Sequence, residues 1–140
     1  MTTDNAEIYS RLRAAGLEVI NSVAAGRPSV TEAFRRVVNV EVKPVQRISA
    51  GIAKADQKAY NAWKTHAQSG GVLADDGTFL VAGSLKHEWI HVRLTDAINI
   101  SALKDPDGEL LFVTRSASGH RVCAVSKEGG EYWILVEDFS

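Results

Sequence analysis

Cysteine, proline and net charge are all scarce in this chain. One cysteine in 140 residues excludes an internal disulfide and any metal site built from several thiolates. That residue, Cys123, lies in the apolar run Val122-Cys123-Ala124-Val125 and reads as a small buried thiol. The three prolines, Pro28, Pro44 and Pro106, fall where segments read as ending. No apolar run approaches the roughly 20 residues that a membrane-spanning helix needs. The opening Met1-Thr2-Thr3-Asp4-Asn5 also lacks the basic-then-apolar order of a secretory signal, so the expectation is a cytoplasmic protein without a membrane segment. A Gly-rich phosphate loop, a cysteine cluster and a nucleophile elbow are all missing, which removes the enzyme classes that depend on them.

What is present suits one globular domain over residues 1–140, with 45% hydrophobic and 24% charged residues. The net charge of −1 hides a division. Residues 1–70 carry ten Lys/Arg against six Asp/Glu, and residues 71–140 carry six against eleven. The apolar pattern changes at the same place, from helical spacing to short β-branched and aromatic runs between Gly, Asp and Ser turns.

In the first half, Ile8, Leu12, Ala15, Val19 and Val23 predict a helix over residues 4–24, terminated by Gly26-Arg27-Pro28. Ser29-Val30-Thr31-Glu32 is a capping box that opens a second helix, running to about Val42 before Pro44 interrupts. Val45, Ile48, Ile52, Ala55, Ala59 and Ala62 predict a third helix, ended by Gly70-Gly71. In the second half, candidate strands are Thr78–Ala82, Trp89–Leu94, Ile98–Leu103, Leu110–Arg115, Arg121–Ser126 and Tyr132–Val136. Their short connections require antiparallel neighbours. The expected fold is α+β, with about three N-terminal helices (1–70) packed as a layer on a C-terminal antiparallel β-meander (71–140) of five or six strands.

Three features carry possible chemistry. His87-Glu88-Trp89-Ile90-His91 reads H-E-x-x-H. On a helix the two histidines would share a Zn²⁺ and Glu88 would polarise its bound water as general base. On a strand they would stand roughly 13 Å apart, too far to hold one metal. Locally the motif resembles that of zincin metallopeptidases, which implies His87 and His91 as zinc ligands, Glu88 as the catalytic base and Glu109 as a third ligand. Trp89-Ile90-His91-Val92-Arg93-Leu94 is nevertheless strand-like in composition, so no cofactor is expected unless the motif is helical.

The second feature is the layout. Helices before an antiparallel sheet are similar to small metal-independent RNases of the barnase and RelE types, which would assign Arg93, Arg115, His120, Arg121, Lys127 and Tyr132 to phosphate binding and proton transfer. The bland alternative is that Ser118-Gly119-His120-Arg121 is a solvated hairpin turn.

The third is a basic stripe. Lys43, Arg47, Lys54 and Lys58 project from one side of the expected third helix, with Arg35 and Arg36 just before them. Such a stripe can grip phosphates, including those of a nucleic acid, or an acidic protein surface. No aromatics interleave it as a single-strand-binding groove would want. The acidic half, with Asp105, Asp107, Glu109, Glu128, Glu131, Glu137 and Asp138, could complement it across a homodimer. The expectation from the sequence is a small protein that binds a macromolecular partner, most simply another protein, as accessory, inhibitor and immunity-type proteins do. The metallopeptidase and then the RNase stand as alternatives.

Overall fold

A computed structural model describes residues 9–10, 12–23, 30–37, 43–82, 89–96, 98, 112–117 and 120–138. Among these residues, seven strands form one antiparallel sheet. They are β1 (Leu17–Val23), β2 (Gln46–Ser49), β3 (Thr78–Ala82), β4 (Trp89–Leu94), β5 (Phe112–Arg115), β6 (Arg121–Glu128) and β7 (Glu131–Asp138). Their spatial order is β1-β4-β3-β5-β6-β7-β2. The two helices assigned among the described residues are α1 (Val30–Val37) and α2 (Ala55–Ser69). Neither is long and apolar enough to cross a membrane.

This corrects the expected three helices on a five- or six-stranded meander. The N-terminal half supplies both edges of the sheet, β1 against β4 and β2 against β7. The expected helix over residues 4–24 is helical at residues 9, 10 and 12–14, then stops at Gly16. Gly16 has φ of 92°, a left-handed conformation that glycine adopts without steric cost and that commonly ends a helix. Beyond it, Leu-Glu-Val-Ile-Asn-Ser-Val is rich in β-branched residues, and Leu17 and Val19 turn to the core from alternate positions. The expected third helix begins only at Ala55, because Gln46–Ser49 between Pro44 and Gly51 pair with β7 instead. Both misread segments have spacings of three and four that also contain an alternation, and pairing with a sheet edge selected the latter.

Neither is the C-terminal half a plain meander. β4 and β5 lie on opposite sides of β3, so the chain between them passes from one side of β3 to the other. The strand expected over Ile98–Leu103 lies outside the described residues except Ile98, which is irregular and packs against the core. The strands Thr78–Ala82 and Trp89–Leu94 occur with the bounds read from the sequence. β6 and β7 are joined through Gly129-Gly130, with φ of 57° and 85°. Positive φ at both central residues is the twist-matched hairpin turn that glycine pairs favour.

Both faces of the sheet are covered. On one, α2 packs Ala55, Ala59, Ala62, Trp63 and Ala67 against Phe79, Val81, Phe112, Cys123, Val125 and Ile134. On the other, Ala33 of α1 joins Leu80, Trp89, Val113, Val122, Ala124 and Leu135. Trp63 is fully buried, and its ring meets Phe112 edge-on at 4.9 Å and Phe79 tilted at 5.2 Å. Its indole N–H donates to the Thr114 hydroxyl at 2.9 Å, and that hydroxyl donates to the Cys123 carbonyl at 2.6 Å. One threonine thus satisfies a buried donor from α2 and a buried carbonyl of β6, tying helix to sheet.

Candidate functional site

The sheet has two edge strands, β1 and β2, and the described cations Lys43, Arg47, Lys54 and Lys58 gather around β2. β2 is last in the strand order, so one side of its backbone pairs with β7 and the other has no strand beside it among the described residues. Pro44 precedes it and Gly51 follows, which keeps it to four residues. The chain then turns into α2 through Lys54, the one non-glycine residue with positive φ (59°) among those described. For a residue with a Cβ this conformation costs about 1 kcal/mol. No side chain caps the start of α2 there.

α2 runs back alongside β2 and leaves a groove of about 480 Å³ between them. It is lined by Gln46, Arg47, Ile48, Ser49 and Ile52 from the β2 side and by Lys58, Asn61, Ala62 and Thr65 from α2. Lys58, Asn61 and Thr65 are three, four or seven apart, so they share one stripe of the helix. At one end His66 Nε2 lies 3.1 Å from Gln46 Oε1, which joins the end of the helix to the start of the strand. Among the described residues, no carboxylate lines the groove.

Cations flank the strand on both faces. Lys58 lies in the groove on the α2 face. On the α1 face, the Arg47 guanidinium lies over the Trp133 ring, 5.1 Å from its centroid, which holds the charge beside the edge. Lys43 and Lys54 are exposed just before β2 and just before α2. Val45 and Ile52, at the two ends of β2, are 50% and 43% exposed and are two of the three large hydrophobics left in solvent among the described residues.

The basic stripe read from the sequence is therefore redistributed. It does not follow one helix, because that helix is interrupted by β2. Lys43, Arg47, Lys54 and Lys58 still gather around a single edge of the sheet. Arg35 and Arg36 belong to α1 on the opposite face, where Arg36 Nη1 donates to Glu137 Oε1 at 3.0 Å. Sequence reasoning missed Gln46, Ser49, Asn61 and Thr65. The Pro44 and Gly51 bracketing of a four-residue segment could have found Gln46 and Ser49; Asn61 and Thr65 join them only through the packing of α2 beside β2.

The H-E-x-x-H segment is divided by what is described. His87 and Glu88 lie outside the described residues, as does Glu109. His91 is in the middle of β4, opposite Leu80 of β3 and Asn21 of β1. Its Nε2 is buried without a hydrogen-bond partner among the described residues. Arg115 is the other cross-strand neighbour of Leu80, so His91 and Arg115 flank that leucine on the face that α1 partly covers. Arg115 is 6% exposed, its guanidinium lies 5.8 Å from the Trp89 ring centroid, and burial lowers its pKa. Among the described residues, no three His, Cys, Asp or Glu side chains gather as a metal site.

The six residues of the RNase alternative are not gathered into one place. Arg93 and Arg115 share the α1 face, where Arg93 Nη1 pairs with Glu18 at 3.2 Å. Arg121 and Tyr132 are on the α2 face. There Arg121 donates to the Gly70 carbonyl at 3.0 Å and pairs with Asp138 at 3.4 Å, and the Tyr132 hydroxyl donates to Asp56 at 2.7 Å. His120 and Lys127 are exposed at the two ends of β6. Of the acidic residues expected as a dimer complement, Glu137 pairs with Arg36, Asp138 with Arg121 and Glu131 accepts from the Trp133 indole, while Asp105, Asp107 and Glu109 lie outside the described residues.

No protein-family model, curated protein or solved structure matches this chain.

Proposed function

We propose that this protein acts by binding a macromolecular partner, another protein, through the edge formed by β2 and the adjoining face of α2. The observation that carries this reading is the coincidence, in one place and among the described residues, of an unpaired strand edge, a groove without carboxylates, exposed Val45 and Ile52, and cations on both sides of the strand. An edge strand presents N–H and C=O groups that water alone otherwise satisfies, and exposed apolar residues at its ends add area that a partner can remove from water. The fixed charges then set which partners are attracted and how fast they arrive.

The test is affinity capture from a lysate with the wild-type protein and with Lys58→Glu. Lys58 is exposed and makes no ion pair among the described residues, so its reversal should change stability by no more than about 0.5 kcal/mol. A complex held by the wild type and lost by Lys58→Glu, with thermal unfolding unchanged, supports the reading. Capture indifferent to the reversal rejects this edge as the binding surface.

A further inference from the structure

We infer that the occupant of the β2 edge is an extended acidic peptide segment that adds to the sheet as an eighth strand. This rests on the partner-binding reading and specifies its mode. The backbone phase of β2 comes first. The Ala50 amide donates to the Gly130 carbonyl at 2.9 Å, and the register continues through Ile48 with Tyr132 and Gln46 with Ile134. In an antiparallel ladder the paired groups recur at every second residue. Gln46, Ile48 and Ala50 therefore point their N–H and C=O groups at β7, and Arg47 and Ser49 point theirs outward. At the start of the strand the Val45 amide also reaches the Ile134 carbonyl, which ends the regular ladder there. The outward edge thus offers two donors and two acceptors at strand spacing, enough to fix the register of a short added segment.

Charge selects the occupant. A strand laid along this edge alternates its side chains between the two faces of the sheet. Those on one face fall beside Lys58 and the groove, and those on the other fall beside Arg47 over Trp133. Cations on both faces favour a segment carrying carboxylates on both. Pairing of β2 with β2 of a second copy is opposed by the same residues, because Arg47 and Lys58 of each copy would approach those of the other. Like charges facing across strands are destabilising, and lysines on an edge are a known way to block self-pairing. Val45 and Ile52 at the two ends of the strand would seat apolar residues flanking the acidic stretch.

The probe is a short fluorescent peptide of glutamate and valine, with two companions. In one, lysine replaces glutamate; in the other, alternate backbone amides on one side are N-methylated. Fluorescence anisotropy should show binding of the glutamate peptide alone. N-methylation should weaken it about tenfold or more, since it removes strand donors and leaves the charge. Ser49→Pro removes an outward N–H without touching the β7 ladder and should have a similar effect. Arg47→Glu and Lys58→Glu should each weaken binding severalfold, and amide exchange of Arg47 and Ser49 should slow in the complex.

Equal binding of the N-methylated peptide, or unchanged exchange at Arg47 and Ser49, overturns strand addition and leaves partner binding by the groove intact. Equal binding of the glutamate and lysine peptides, or of neither, overturns the acidic occupant. Concentration-dependent self-association abolished by Ser49→Pro would assign the edge to a second copy and overturn it as well. Failure of the partner-binding reading is seen separately, in lysate capture indifferent to Lys58→Glu.

Discussion

Cys123 and Thr114 show how much of the interior depends on single side chains. The Cys123 thiol of β6 is fully buried beneath α2, and burial pushes its pKa from 9.0 up to about 12. The unfolded chain releases this proton above about pH 9, and the folded chain holds it until about pH 12. The stability it contributes is thus complete below pH 9 and is lost as pH rises towards 12. Denaturant unfolding measured across this range should show a shallower alkaline decline in Cys123→Ala than in the wild type. Tyr60, whose hydroxyl pKa burial also raises, adds a loss of the same sign that the variant retains. The apolar run around Cys123 was enough to predict a buried thiol. Nothing in the sequence, however, pairs Thr114 with the indole of Trp63, 51 residues away.

Elements were legible where local chemistry and tertiary pairing agree. β3 and β4 could be read because short runs of β-branched and aromatic residues sit between turn residues. The Asp75-Asp76-Gly77 turn is secured by Asp76, which accepts from the Thr78 hydroxyl and amide and is held below the usual carboxylate range by those bonds. The Gly129-Gly130 hairpin was equally plain, and it carries a testable requirement. Gly130→Ala places a Cβ on a residue with φ of 85°, and among the described residues no atom beyond its chain neighbours lies within 4 Å of that Cβ, so strain alone should destabilise the fold by about 1–2 kcal/mol in thermal or denaturant unfolding. β1 and β2 were illegible for the opposite reason. Their apolar spacing satisfies both periods, and only β4 and β7, distant in sequence, decide between them.

At the scale of the whole molecule, the uneven charge of the two halves becomes a local field. The basic half does not form a separate layer; it wraps the sheet and delivers Lys43, Arg47, Lys54 and Lys58 to one edge. All four are exposed, so binding there should weaken steadily as salt is raised, because charges separated by more than about 8 Å are screened at physiological ionic strength. Titrations at low and physiological salt check this, and a salt-independent affinity would show that the charges take no part.

The sequence by itself determined that the chain is α+β, that Thr78–Ala82 and Trp89–Leu94 are strands, that Cys123 is interior and that its cations are concentrated in the first half. Each of these follows from neighbours along the chain. Tertiary structure alone decided that residues 17–23 and 46–49 are strands, that helices cover both faces, and that Lys43, Arg47, Lys54 and Lys58 surround the β2 edge. Those outcomes depend on hydrogen bonds to partners that no local pattern names, since an edge strand is completed only by the sheet it joins.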